Sequence, residues 1–207
     1  MSVQHVEILV EERSMEAALQ LLLPKLLTNI SYRIYVSQCK QDLLARLPER
    51  LKGYATWLPP EWRIIVVVDR DDDHCADLKQ TLEDLADAAG LRTRATAGGE
   101  NYSVINRLAI EELEAWYFGD WTAVRTAFPR VPPTIPQRAA FRDPDAITGG
   151  TWEALERVLQ RAGYFQSGLR KIETARMVAQ HMDPSRNSSR SFQAVRFSLL
   201  QCSSAAP

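Results

Sequence analysis

"IIVVVDRDDDHC", residues 64–75, is the stretch that decides the fold of this 207-residue chain. Five β-branched apolar residues run without interruption and end at Asp69, Asp71, Asp72 and Asp73, four acids within five positions. A strand that is apolar on both faces belongs in the middle of a sheet that is covered on both sides. Crowded carboxylates repel one another, so their presence at the end of a buried strand predicts a function rather than a contribution to stability.

Strand and helix patterns alternate on both sides of this segment. Apolar or alternating stretches predict strands at 3–10, 32–38, 63–68, 91–97 and 102–110, with a loop at Gly98–Gly99. Helical spacing of apolar residues predicts helices at 15–28, 40–51 and 74–89, the last one ended by Gly90. The alternation predicts an α/β fold with a mostly parallel sheet flanked by helices.

The charge changes sign along the chain. Residues 1–123 hold 13 Lys and Arg against 20 Asp and Glu, a net charge of −7, whereas residues 124–207 hold 12 against 6, a net charge of +6. In the second part, a proline-rich loop over 128–150 precedes predicted helices at 151–162, 170–181 and 189–200, capped by Thr151 and by Ser188 or Ser189. We therefore expect an α/β domain over 1–123 and an Arg-rich helical extension over 124–207 packed on it.

Several classes of protein are excluded by composition. Cys39, Cys75 and Cys202 are widely spaced and odd in number, which favours reduced thiols in the cytoplasm over a disulfide framework. The N-terminus lacks the pattern of a signal peptide, and every apolar run is shorter than the ~20 residues of a membrane span. The chain also lacks a phosphate-binding P-loop motif and a dinucleotide-binding glycine motif.

The acids after the central strand favour a metal site. Asp69 and Asp71 are two residues apart and point the same way if the chain stays extended. Converging carboxylates at a strand end are the hard oxygen ligands that Mg²⁺ and Mn²⁺ prefer. Capping of the following helix is the alternative for Asp72 or Asp73, because an acid near a helix N-terminus is favourable.

Two further groups of acids follow predicted strands. Glu11 and Glu12 come after the first strand, where capping around Ser14 is the alternative. Glu111, Glu112 and Glu114 come after the strand that ends at Ile110, with Glu111 and Glu114 expected on one face of a helix; a solvated acidic face is the alternative there. In an open parallel sheet, ligands bind beyond the carboxyl ends of the strands, so three acidic groups on that rim predict a divalent cation.

Four segments resemble a known family. "ILVEERSMEAAL" (8–19) resembles the first motif of Toprim-type domains, and "VVVDRDDD" (66–73) resembles their Asp-x-Asp motif. Together with "EELEAWYFGD" (111–120) and "SRSFQAV" (189–195), they make the chain similar to short bacterial stand-alone Toprim-like proteins of unknown function, related to the nuclease domain of OLD-type proteins. Members of this family are often encoded near an ABC-type ATPase in phage-defence settings. The resemblance implies a Toprim-like (Rossmann-like) fold over nearly the whole chain.

The resemblance also implies roles for the acids. Glu11, Asp69 and Asp71 would be the catalytic residues and would hold Mg²⁺ or Mn²⁺. Further ligands would be Asp73 and Glu114, with Glu111 beside Glu114. Toprim domains usually have a glycine after the first glutamate, where this chain has Glu12.

A polyanionic substrate needs positive charge beside such a rim, and the second part of the chain offers it. The candidate nucleic-acid-binding residues are Arg142, Arg170, Lys171, Arg186, Arg190 and Arg196. Ion pairs with the acidic part of the chain are the alternative role for these residues.

The function predicted from the sequence is a metal-dependent nuclease acting on DNA or RNA, gated by an ATPase partner. The first alternative is a non-catalytic Toprim-like subunit that binds the ATPase. The second is a phosphoacceptor or small-molecule phosphatase, because an acid after a strand also occurs in those folds. Charge-neutral substitution of the rim separates them: it abolishes cleavage in the first case, spares partner binding in the second, and blocks acyl-phosphate formation in the third.

Overall fold

A four-stranded sheet organises the protein, which is represented by a computed structural model that describes residues 2–98 and 101–204. The strands are β1 (His5–Val10), β2 (Ser31–Val36), β3 (Trp62–Asp69) and β4 (Val104–Ala109). All strand pairs are parallel and the order is β2-β1-β3-β4, so that β1 and β3 are central. Of the loop predicted at Gly98–Gly99, Gly99 lies outside the described residues.

Helices connect the strands and continue beyond the sheet. They are α1 (Arg13–Leu26), α2 (Lys40–Trp57), α3 (Cys75–Ala88), α4 (Glu114–Gly119), α5 (Trp121–Ala127), α6 (Thr151–Arg161), α7 (Lys171–His181) and α8 (Arg190–Ser204). The proline-rich loop contains three short 3₁₀ turns, at Ile135–Gln137, Ala139–Phe141 and Pro144–Ala146. The α/β class with a parallel sheet flanked by helices and a C-terminal helical extension is therefore confirmed.

The central strand β3 is covered on both faces, as its unbroken apolar run predicts. Ile64–Val68 are at most 1% exposed. Ile65 and Val67 pack into a core that includes α1 and the C-terminal helices α6, α7 and α8. Ile64, Val66 and Val68 pack into a second core formed with α2 and α3. Close packing on both faces fixes the position of the C-terminal end of β3 in the sheet, and therefore the position of Asp69.

Helix capping in the second part follows the prediction at one helix and departs from it at another. Ser189 precedes α8, and its hydroxyl accepts a hydrogen bond from the Phe192 N–H at 3.1 Å, as an N-cap serine does. Thr151 is the first residue of α6 rather than its cap, and its N–H and hydroxyl both donate to Glu112 at 2.9 Å. The predicted cap at Thr151 is wrong because an acid from a distant loop satisfies this helix end.

The strand predicted at 91–97 is also wrong. This segment makes a single bridge to the sheet, between Thr93 and Val104, and then turns. The Thr93 hydroxyl accepts from the Thr96 N–H at 3.1 Å, and the Thr96 hydroxyl accepts from the Thr93 N–H at 3.2 Å. These local side-chain bonds compete with the strand ladder for the same backbone groups.

Across the described residues, no helix combines the length and the apolar character needed to cross a membrane.

Candidate functional site

The acidic rim is built by the parallel sheet. Glu11 directly follows β1, Asp69 is the last residue of β3, and the loop after β4 leads to Glu114 at the start of α4. The register pairs Val10 with Val67 and Asp69 with Ala109, so the three strand ends lie side by side. The fold therefore brings one acid from each of the three predicted groups to the same edge.

Three carboxylates on this rim, Glu11, Asp69 and Glu114, are buried, and together we call them the buried trio. They are 6%, 3% and 1% exposed, respectively. Glu11 Oε2, Asp69 Oδ1 and both carboxylate oxygens of Glu114 have no well-aligned hydrogen-bond partner among the described residues. Buried polar atoms are almost always paired, because an unpaired buried group forfeits its hydration. These oxygens are therefore free to accept a ligand.

The electrostatics of the buried trio reflect the missing partners. Burial raises the pKa of Glu11 to about 7, and repulsion from Asp71 adds to the rise. Burial raises the pKa of Glu114 to about 8, although the nearby Lys171 opposes it. The pKa of Asp69 lies well above its usual value because of burial, followed by repulsion from Glu11 and Glu114. A cation among the three would relieve this repulsion.

A cavity of about 210 Å³, which we call the acid pocket, opens at this rim. Glu11, Asp69 and Asp71 line it, and Lys40 and Lys171 also reach it. The other lining residues are Glu12, Gln38, Cys39, Gln41 and Glu112. Glu114 is absent from the lining but lies close enough to Asp69 to raise its pKa. The pocket thus combines acids that would hold a cation with lysines that would attract an anion.

Asp71 and Asp73 differ from the buried trio because Lys40 neutralises them. Lys40 Nζ lies 2.6 Å from Asp71 Oδ2 and 2.8 Å from Asp73 Oδ2, and it donates to the Arg70 carbonyl at 3.0 Å. Asp71 adopts a φ of 49°, so the chain turns after Asp69. The expectation that Asp69 and Asp71 point the same way from an extended chain is therefore wrong, although both side chains line the acid pocket.

Glu111 and Glu112 also have partners. Glu111 adopts a φ of 61°, precedes α4 and pairs with Arg70, so its expected place on one helix face with Glu114 is wrong. One oxygen of Glu112 accepts from the N–H and hydroxyl of Thr151 and from the Trp152 N–H, each at 2.9 Å. Glu112 is thus the cap of α6 as well as a wall of the acid pocket.

The sequence model of one protein family matches almost the whole chain. The model of the family described as "Domain of unknown function (DUF4276)" matches residues 10–198. This chain belongs to the DUF4276 family. No curated protein matches it. Among solved structures, the C-terminal region of the OLD protein of Xanthomonas campestris pv. campestris is similar at 18% identity and a TM-score of 0.42, covering 97% of this chain and 92% of that one.

The chemistry of the buried trio fits a divalent cation. In the described part of this DUF4276 protein, no group of three or more His, Cys, Asp and Glu side chains is arranged so that it could hold a metal ion. The unpartnered oxygens are nevertheless the hard donors that Mg²⁺ and Mn²⁺ take. The pKa of Asp69 is raised first by burial and then by repulsion from Glu11 and Glu114, and a cation would stabilise the charge that both disfavour. The buried trio therefore offers the kind of donor atom that the ion requires. Its side chains are not arranged as a coordination sphere.

Sequence reasoning missed two residues beside the buried trio, Lys40 and Tyr117. Lys40, in the first turn of α2, is 7% exposed, and its only signal in the sequence was a cation just after the end of an edge strand. Glu12, which the sequence grouped with Glu11, lines the acid pocket and contributes to the raised pKa of Asp69. The hydroxyl of Tyr117 is buried without a partner in the described chain, and burial followed by Glu114 raises its pKa.

Of the six cations predicted to bind nucleic acid, Lys171 is the one that lines the acid pocket. Burial disfavours its charge, but Glu114 and Glu12 raise its pKa overall, and Nζ lies 5.3 Å from the centre of the Trp152 ring. Four of the five arginines have partners within the fold. Three form ion pairs: Arg186 with Asp120 at 2.8 Å, Arg190 with Asp143 at 2.5 Å and Arg170 with Glu173 at 3.2 Å. Arg196 donates a hydrogen bond to Gln193 at 3.1 Å. Arg142 is exposed.

Proposed function

We propose that this protein is a divalent-metal-dependent phosphodiesterase that cleaves DNA or RNA. The observation that carries the proposal is the buried trio: three buried carboxylates beyond the carboxyl ends of neighbouring strands, each with at least one oxygen that is buried without a well-aligned hydrogen bond in the described structure. If these carboxylates had no ligand, the folded protein would be more stable with them hydrogen-bonded or exposed to water. Mg²⁺ or Mn²⁺ is the ligand whose chemistry fits them.

Each group in the acid pocket has a role under this proposal. Glu11 and Asp69 would hold the ion, with Glu114 supporting Asp69 from its buried side. The ion would neutralise the phosphate and activate the attacking water. Lys171 places a positive charge at the pocket, which would bind the phosphate, while Lys40 keeps Asp71 and Asp73 neutralised. The pocket thereby offers a phosphate two kinds of positive charge, one from the chain and one from the ion.

Calorimetric titration with Mn²⁺ tests the proposal, because it needs neither the substrate nor a partner. We expect saturable binding to the wild-type protein that Asp69→Asn abolishes. Asp72→Asn is the matched control: it removes the same charge three residues further along the chain, but Asp72 is exposed and is not part of the acid pocket. Absence of Mn²⁺ binding to the wild type, or equal loss in both variants, would remove the basis for a metal-dependent enzyme.

A second candidate function is a non-catalytic subunit that binds a partner ATPase. Lys40 favours it, because a lysine that neutralises Asp71 and Asp73 already occupies the place of a cation beside these acids. The ATPase partner follows from the resemblance of the sequence alone. Under this function, charge-neutral substitution of the buried trio leaves partner binding intact. Under the first function, the same substitution abolishes cleavage, measured with the ATPase added because a gated nuclease is inert alone.

A further inference from the structure

The free edge of the sheet borders a second polar cavity. β4 is an edge strand, and the described part of the segment that follows α3 pairs with it through a single bridge, between Thr93 and Val104. Beyond that bridge, residues 105–107 of β4 line a cavity of about 390 Å³, together with side chains from α3 and from the turn at 94–98. None of its lining residues belongs to the acid pocket, so it is a separate feature of the molecule.

Three cations from three different elements converge on this cavity. They are Lys79 of α3, Arg94 of the turn and Arg107 of β4. Glu83 is the acid among the lining residues, and it pairs with Lys79 at 2.5 Å. Lys79 Nζ also donates to the Asn106 carbonyl at 2.7 Å. One acid against three cations leaves a net positive charge within a small volume.

The cations crowd one another. Burial lowers the pKa of Arg107, and repulsion from Arg94 lowers it further. Burial also lowers the pKa of Lys79, with Arg107 contributing in spite of the ion pair to Glu83. Like charges held together at a partly buried place favour the binding of an anion, which would relieve the repulsion.

Donor groups at the cavity are also left without good hydrogen bonds. Arg94 Nε is buried and has no partner in the described chain. Asn106 is 2% exposed, and neither polar atom of its side-chain amide makes a well-aligned hydrogen bond in the described structure. The amide nevertheless lies near enough to Glu83 to help lower the pKa of Glu83. The guanidinium carbon of Arg94 lies 5.4 Å from the ring centre of Phe197, which is 54% exposed. The aromatic contact orients a planar donor fork that suits phosphate oxygens.

We propose that this cavity binds a small phosphate-bearing molecule through Arg94, Arg107 and Lys79. Its volume falls within the ~300–1,000 Å³ range of small-molecule sites. Arg107 is anchored for this task, because its Nε donates to the Ser198 hydroxyl at 2.8 Å and to the Ala194 carbonyl at 3.2 Å. Phe197 lies outside the cavity lining but contacts Arg94 and is half exposed, so its ring would accept a planar base, which favours a nucleoside phosphate. The site is independent of the proposed activity at the acid pocket.

Calorimetric titrations with inorganic phosphate and with adenosine monophosphate test the site in the full-length protein without added metal. We expect saturable binding that Arg94→Gln weakens about tenfold or more, because a charge-assisted hydrogen bond is lost. Arg92→Gln is the matched control, since Arg92 is exposed, lies two residues away and is not part of the cavity lining. Thermal unfolding of both variants verifies that each is folded.

Two results overturn the proposal: no saturable binding of either probe to the wild type, or equal weakening in the two variants. A third arm uses a short oligonucleotide without a terminal phosphate. Binding of the oligonucleotide when neither small probe binds is a case of the first result, and it assigns these cations to a polynucleotide surface. Loss of Mn²⁺ binding in Asp69→Asn leaves all of these outcomes unchanged, so the two proposals fail separately.

Discussion

Two sets of acids on the same rim have opposite environments. The buried trio consists of Glu11, Asp69 and Glu114, whose carboxylates keep unpartnered oxygens within the described structure. The paired acids are Asp71, Asp73, Glu111 and Glu112, which are bound by Lys40, Arg70 and the first turn of α6. In the sequence, all seven are acids that follow a strand. The comparison teaches that the place of an acid in the chain does not reveal its role, whereas its partners do.

The difference has an energetic meaning. A paired acid at the rim lowers the free energy of the fold, as Glu112 does by accepting three hydrogen bonds at the start of α6. A buried acid without a hydrogen-bond partner raises that free energy, because the nearby lysines do not make up for the water that its charge has lost. The buried trio is therefore a cost in the isolated chain, and a bound cation would turn it into a gain.

The largest expected effect contrasts Glu114 with Glu112, two residues apart on one loop. We expect Glu114→Gln to weaken Mn²⁺ binding about 10- to 100-fold, the usual effect of removing a group that supports a metal ligand. Glu112→Gln should leave the affinity within about threefold, since its carboxylate is engaged by α6. The affinities are measured by calorimetry at one pH. If the two variants behave alike, the distinction between the buried trio and the paired acids has no functional content.

The fold was predictable from the sequence to a greater extent than the site. The apolar run 64–68 specified a central, doubly covered strand, and the alternation around it specified the parallel sheet. The segment 91–97 was mispredicted because two threonine hydroxyls capture its backbone N–H groups, a contest that strand propensity does not register.

The division of the acids into two sets could not be predicted. It depends on Lys40, which lies about thirty positions away in the sequence from Asp71 and reaches it only once β2 and α2 have packed beside β1. It depends equally on Thr151, which arrives from the second part of the chain to bind Glu112. Such pairings are tertiary, and no local pattern of charge specifies them. What the sequence did indicate was that the acids share a rim, because strand ends in a parallel sheet must meet.

The next expected effect is on stability as a function of pH. In the metal-free protein, the pKa values of Glu11 and Glu114 are raised to about 7 and about 8, so the folded state binds more protons than the unfolded state above about pH 4.5. Their contribution to stability is therefore greatest below that pH and is lost as the pH rises through 7 and 8. Because these two carboxyls bind protons so much more tightly in the folded state, we expect the melting temperature to fall by roughly 10–20 °C between about pH 5 and about pH 8.

Thermal unfolding of the wild type and of Glu114→Gln, with a chelator present, measures this contribution. The glutamine carries no charge to desolvate, so the melting temperature of Glu114→Gln should change less with pH. Saturating Mn²⁺ should raise the melting temperature of the wild type at the higher pH. A wild-type protein that is more stable at about pH 8 than at about pH 5, to the same extent as the variant, contradicts the assignment of these carboxylates as unpartnered.

The smallest expected effect comes from converting paired acids into unpaired ones. Lys40→Met removes the ammonium that holds Asp71 and Asp73, whose side chains are 46% and 51% exposed, so solvent limits the loss to about 1 kcal/mol, or 2–4 °C. The freed carboxylates lie beside the acid pocket, and we expect Mn²⁺ to stabilise this variant more than it stabilises the wild type. Lys52→Met, in the same helix and 59% exposed, is the control. Thermal unfolding without and with Mn²⁺ gives the loss of stability and the stabilisation by Mn²⁺. If Mn²⁺ raises the melting temperatures of the wild type, Lys40→Met and Lys52→Met equally, Lys40 does not stand in place of a cation.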